Sequence, residues 1–166
     1  YEVTNDFIKT QKELLIFQIE LALKYKKSLI LHNREAKGDI IPLLSTHWDS
    51  ALEYRTVFHC CEPDEELLQV AKNNHIFIGI DGDVTYDAKK KEFVKHIPLD
   101  LLVLETDSPY LLPEPLRSQK KYPNEPSNIS LIASYIADEL HMTKEEIGEI
   151  TTQNARRLFN LPKDKG

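Results

Sequence analysis

Four short runs of successive apolar residues punctuate the chain, at 28–31, 56–58, 76–80 and 101–104. Each is apolar on consecutive rather than alternating positions, as expected of strands covered on both faces. Between the runs, apolar residues recur at helical spacing. Residues 10–25 open with Thr10 and Glu13 at the spacing of a capping box, and Leu14, Phe17 and Leu21 fall on one stripe. A second helix is expected over 39–49. A third begins with Pro63 in its first turn, followed by Asp64, Glu65 and Glu66, and runs to the Asn73-Asn74 pair. A fourth covers 87–97 and is stopped by Pro98.

The order is therefore α-β-α-β-α-β-α-β, with strands recurring every 20 to 30 residues. Strand, helix, strand at that spacing implies parallel strands joined by crossover helices, an α/β fold. The tail is different. Residues 109–126 hold five prolines and read as an irregular surface loop. A helix over 128–140 follows, with Ile129, Ile132, Ile136 and Leu140 on one face. Thr143 and Glu146 mark another capping box, and a last helical turn is expected over 154–159.

The residues just past each strand carry the candidate chemistry. His32, Asn33 and Arg34 follow the first; His59 follows the second; Asp81 and Asp83 follow the third; Glu105, Thr106 and Asp107 follow the fourth. In a parallel sheet or barrel these exits share one edge, where α/β enzymes place their sites. Two imidazoles and a carboxylate converging there suit a divalent cation such as Zn²⁺, Mn²⁺ or Mg²⁺. On pattern alone, satisfied surface or core side chains explain the same residues equally well. His47, His75, His96 and His141 read as structural, and the lysine runs 89–91 and 120–121 as solvated faces.

Composition narrows the field. A chain of 166 residues with 41% apolar and 29% charged residues has room for one domain, expected over 1–166. No apolar stretch approaches the roughly 18 residues of a membrane span, and the start lacks the charged-then-apolar pattern of a signal peptide. Cys60 and Cys61 are adjacent, a poor arrangement for a disulfide, so both read as free thiols in a cytoplasmic protein; Cys60 reads as a buried thiol rather than a ligand. The net charge of −6 argues against a broad basic surface for nucleic acid. It leaves a nuclease open, because a bound metal neutralises phosphate locally.

The segment 31–36 (Leu-His-Asn-Arg-Glu-Ala), His59, the segment 79–86 and above all 105–111 (Glu-Thr-Asp-Ser-Pro-Tyr-Leu) resemble the TatD family in order and spacing. Asn124-Glu125-Pro126 and the segment 154–159 are similar to its ending. The resemblance covers nearly the whole chain. It implies a (β/α)8 barrel, a metal-dependent hydrolase with deoxyribonuclease activity as its usual assignment, and DNA as substrate. It further implies that His32 and His59 bind one divalent ion and that Asp107 binds its neighbour. Asp107 would also orient the attacking water or take its proton. Arg34 would contact substrate phosphate or form a structural ion pair, and Glu105 would support the site from behind.

The sequence also departs from the family. The His-x-His pair of the first strand and a bridging Glu are absent, and Tyr1 resembles the residue just past that Glu. The chain is thus expected to be an incomplete barrel, its last four strands plus closing helices. Three of the ligands for a two-metal site predict weak metal binding and little activity from this chain alone. Two open edges predict self-association, unless a missing N-terminal half or a second copy covers them. Residues 117–124 replace a shorter Arg-Gly-x-x-Asn connection, which would alter the substrate rim. A metal-dependent amidohydrolase and a non-catalytic assembly module are the competing readings.

Overall fold

The computed structural model describes residues 4–162; Tyr1 lies outside them. Four strands, β1 (Leu29–His32), β2 (Thr56–His59), β3 (Phe77–Ile80) and β4 (Leu102–Leu104), form one parallel sheet in the order β1-β2-β3-β4. This is the expected incomplete (β/α)8 barrel: adjacent strands in chain order with crossover helices, and no hydrogen bonds closing β4 onto β1.

Helices α1 (Asn5–Tyr25), α2 (Lys37–His47), α3 (Glu65–Asn74), α4 (Ala88–Val94), α5 (Ile129–Leu140) and α6 (Lys144–Phe159) accompany the sheet. Side chains alternate across a strand. Leu29, Leu31, Phe58, Ile78, Ile80 and Leu102 therefore point one way, into a large core with Ile19, Leu44, Leu67, Phe93, Ile136 and Ile147 from the helices. Val57, Phe77 and Val103 point the other way and meet only Leu158 and Tyr54 in a small second core. The strands are not all covered twice, as their apolar runs had suggested. On β1, Ile30 is 57% exposed on the open face.

Several helix starts differ from expectation. The cap of α1 is Thr4, whose Oγ1 accepts from Phe7 N at 3.2 Å. Thr10 lies inside the helix and donates to the Asp6 carbonyl instead. The stripe of Leu14 and Phe17 is exposed, and Ile19 and Ala22 carry the burial. Asp64 caps α3, accepting from Glu66 and Leu67 N, so Pro63 precedes the helix rather than starting it. Pro98 is followed by a single 3-10 turn before β4. The capping box at Thr143 and Glu146 forms as read, but α6 then runs unbroken through residue 159. Among the described residues, no helix is long and apolar enough to cross a membrane.

Candidate metal centre

His32 and His59 end β1 and β2 and lie opposite each other in register. Alternation puts His32 on the side of Ile30 and His59 on the side of Val57, the face opposite the large core. The two rings stand beside each other, centroids 5.7 Å apart and tilted by 42°. Sheet register thus does what no local signal does: it joins residues separated by a whole crossover.

Register also places Gly79 on β3 next to His59 on the same face, with Val103 of β4 beyond it. Glu105 follows Val103 by two residues and so shares its side. Its carboxylate spans β3 to reach β2. His59 donates from Nδ1 to Glu105 Oε2 at 2.5 Å, and Cys60 N donates to Oε1 at 2.5 Å. Glycine is required under this bridge, because a Cβ at Gly79 would lie 2.4 Å from Glu105 Oε1.

The bridge has a chemical consequence. A carboxylate only accepts, so the neutral imidazole of His59 carries its proton on Nδ1 and offers the Nε2 lone pair to a cation. That Nε2 lies 3.5 Å from Asp107 Oδ1. Asp107 has a φ of 50°, a left-handed conformation that aspartate adopts more readily than most residues. The set of imidazole nitrogen and carboxylate oxygen, half-buried at an open sheet edge, fits a divalent ion.

His32, His59, Glu105 and Asp107 are thus brought together. Arg34 is placed apart from this hydrogen-bonded group. It is exposed in the turn after β1, where Asn33 Oδ1 accepts from Ala36 N. It lines a cavity of about 500 Å³ with Phe7, Ile8, Lys12 and Asp39. It makes no ion pair among the described residues.

A second polar cluster beside the site escaped the sequence reading. Lys90 is fully buried, with Nζ 2.6 Å from Asp83 Oδ2, 3.7 Å from Asp81 Oδ2, and 3.8 Å from both Cys60 Sγ and Glu62 Oε1. Ligand atoms of Cys60, Glu62 and Asp83 lie within 4.8 Å of one another, close enough to hold an ion, but the ammonium already stands among them. Burial, then Asp81's hydrogen bond and charge, push the Asp83 carboxyl up to about 7. Burial also opposes ionisation of Asp81, but its hydrogen bond from Asp83 and the charge of Lys90 outweigh that and hold it below the ordinary range. Burial disfavours the Lys90 charge too, yet the two aspartates more than compensate and raise its pKa. Burial raises both cysteine thiols, Cys61 to about 12, so both are protonated near neutrality. Lys90 is therefore not on a solvated face, as its lysine run had suggested. The readable signal was its spacing: Phe93 and Val94, three and four residues on, are buried on the same side of α4.

A parallel sheet with His, His and Asp at its carboxyl edge places a metal-binding donor set where α/β enzymes carry their sites. A profile of the TatD related DNases matches residues 1–160, and the chain belongs to that family. It is 39% identical over 153 residues to a Bacillus subtilis protein named uncharacterized metal-dependent hydrolase YabD, covering 91% of this chain and 58% of that one. It is 34% identical over 156 residues to human deoxyribonuclease TATDN3, covering 94% and 54%. The crystal structure of YJJV, a TatD homolog from Escherichia coli K12, superposes with a TM-score of 0.81 at 26% identity, covering 96% of this chain and 61% of that one. The chain thus spans 54% to 61% of the length of these relatives.

Proposed function

We propose that this chain contributes the carboxyl-edge half of a two-metal hydrolase centre that cleaves phosphodiester bonds in DNA. His32 and His59 would hold one divalent ion and Asp107 its neighbour. The observation that carries the reading is the Glu105 bridge: it fixes the His59 tautomer so that Nε2, facing Asp107, is free to bind. The tie at Nδ1 braces the sheet edge and at the same time turns Nε2 toward Asp107, the orientation a ligand role needs.

Bound divalent ions would supply Lewis acidity, activating water and neutralising charge that develops on the phosphate. Asp107 would accept the proton of the attacking water at a carboxylate oxygen or orient it in line. Glu105 acts through His59 and is a positioning residue. Arg34, exposed past β1 and without an ion pair among the described residues, would draw the phosphate in. The hydrolase names of YabD and TATDN3 support the class, and the TATDN3 name supports DNA.

The test is Asp107→Asn in a protein carrying the whole barrel, assayed on DNA, RNA and small esters and amides. Loss of DNA cleavage with the fold intact is expected. Cleavage of amides but not DNA would move the assignment to the amidohydrolases, and retained DNA cleavage would remove Asp107 from the mechanism.

A further inference from the structure

Lys90 touches two loops that leave the sheet edge, and one of them continues directly from His59. Its Nζ donates to Asp83 Oδ2 at 2.6 Å in the loop after β3, and to Cys60 Sγ at 3.8 Å in the loop after β2. Glu62 Oε1 of that second loop lies 3.8 Å away. The lysine is fixed at its base: Asp87 caps α4, accepting from Lys89 and Lys90 N. Asp87 N in turn donates to Asp83 O at 2.8 Å. The ammonium thus reaches the β2 loop from a helix that is itself tied to the β3 loop.

Cys60 is the point where this network meets the site. Its backbone is left-handed, with a φ of 47°, a conformation that residues with a Cβ disfavour. Contacts on two sides hold it there. On one side Cys60 N donates to Glu105 Oε1, and Cys61 N donates to Gly79 O at 3.0 Å. On the other side stands Lys90. Turning Cys60 out of this conformation swings its N–H away from Glu105. The carboxylate then loses one of its two anchors, the other being His59 Nδ1.

A buried ammonium is a poor device for stability alone. Desolvating it and its carboxylates cancels much of their attraction, and apolar residues of similar volume often serve as well. What apolar side chains cannot supply is a directed bond to a particular loop. We propose that Lys90 is a positioning residue for the candidate metal centre. From α4 it holds Cys60 left-handed, so that the Cys60 N–H and His59 Nδ1 reach Glu105 together and Nε2 is turned toward the ion. Lys90 itself touches neither ion nor substrate in this role. The proposal rests on the metal-ligand reading of His59 and adds the residue that sets its orientation from the helix layer.

The experiment is proton and nitrogen NMR of the histidine rings in the full chain with chelator present, followed by calorimetric titration with Zn²⁺. In the parent, His59 should show a protonated Nδ1 in slow exchange, shifted downfield by the carboxylate. Lys90→Met alone leaves two buried aspartates without a counter-charge, so it is combined with Asp81→Asn and Asp83→Asn, a neutral cluster of similar volume that should fold. In this variant the His59 Nδ1 proton should move upfield and exchange faster, with His47 and His141 unchanged. Zn²⁺ affinity should fall by about 10- to 100-fold. Cys60→Ala deletes only the thiol that Lys90 meets and should shift the same resonance in the same direction, which keeps the test open if the triple variant does not fold. The parent's His59 signal in the folded triple variant, or in Cys60→Ala, overturns the proposal, and Lys90 then serves the fold alone. Zn²⁺ titration of the parent tests the ligand reading separately. No binding there, beside a His59 signal that depends on Lys90, would reject the metal centre and keep the positioning network.

Discussion

Glu105 reaches His59 only because Gly79 stands between them. The residues lie on β2, on β3 and just past the end of β4, and the middle one has no side chain on the shared face. Gly79→Ala puts a methyl group where a carboxylate oxygen lies. Glu105 must withdraw, releasing both His59 and Cys60 N. We expect a stability loss of about 1–3 kcal/mol by urea denaturation, together with weaker metal binding. Gly38→Ala, in open space near the start of α2, is the control and should be neutral or slightly stabilising.

Glu105→Gln keeps the size of the bridge and changes its chemistry. An amide oxygen still accepts from Nδ1, but without the charge that makes the imidazole a better donor. Metal affinity should fall by about 10- to 100-fold in calorimetric titration, with a modest loss of thermal stability, because the amide NH2 then faces the Cys60 N–H and cannot accept from it. An unaltered affinity would mean that Glu105 serves the fold alone.

Removing the buried ammonium should be far more damaging to the fold. Lys90→Met leaves Asp81 and Asp83 facing each other without a counter-charge, next to Cys60. Breaking one side of a buried ion network costs about 3–5 kcal/mol, which denaturant titration would read directly. A loss below about 1 kcal/mol, the scale of an exposed pair, would contradict the buried geometry.

The same cluster gives stability a particular pH dependence. Asp83 binds its proton more tightly in the folded chain, so its contribution is fully present below the unfolded value of 3.8. It is lost as pH rises toward about 7. Asp81 has the opposite sign: its lowered pKa contributes above the ordinary carboxylate range and is lost as pH falls. Between pH 5 and 8 the parent should therefore lose stability relative to Asp83→Asn, measured by urea denaturation at both values. Parallel stabilities across that range would show that Asp83 ionises like a surface carboxylate.

How much of this was readable in the sequence depends on the range of the interaction. The strands were legible because each is a run of consecutive apolar residues, although β1 buries only alternate ones, and reading the residues past them led to His32, His59, Glu105 and Asp107 at one sheet edge. Local ambiguity defeated α1. Its apolar residues surround the helix, so Leu14, Phe17 and Leu21 make as good a stripe as the buried Ile19 and Ala22. Thr10 and Glu13 have capping spacing, but that spacing also occurs inside any helix, and Thr4 supplies the cap. The bridge over Gly79 depends on lateral register between three strands, which no single segment encodes. Lys90 was hidden by its lysine neighbours, although only it shares the buried face of α4 with Phe93 and Val94.

Anomalous diffraction at the zinc absorption edge, from crystals grown with the ion, tests the central proposal most directly. The account predicts a peak about 2.0–2.2 Å from His59 Nε2, with His32 completing its contacts. A peak instead between Cys60, Glu62 and Asp83, or none near His59, would contradict it.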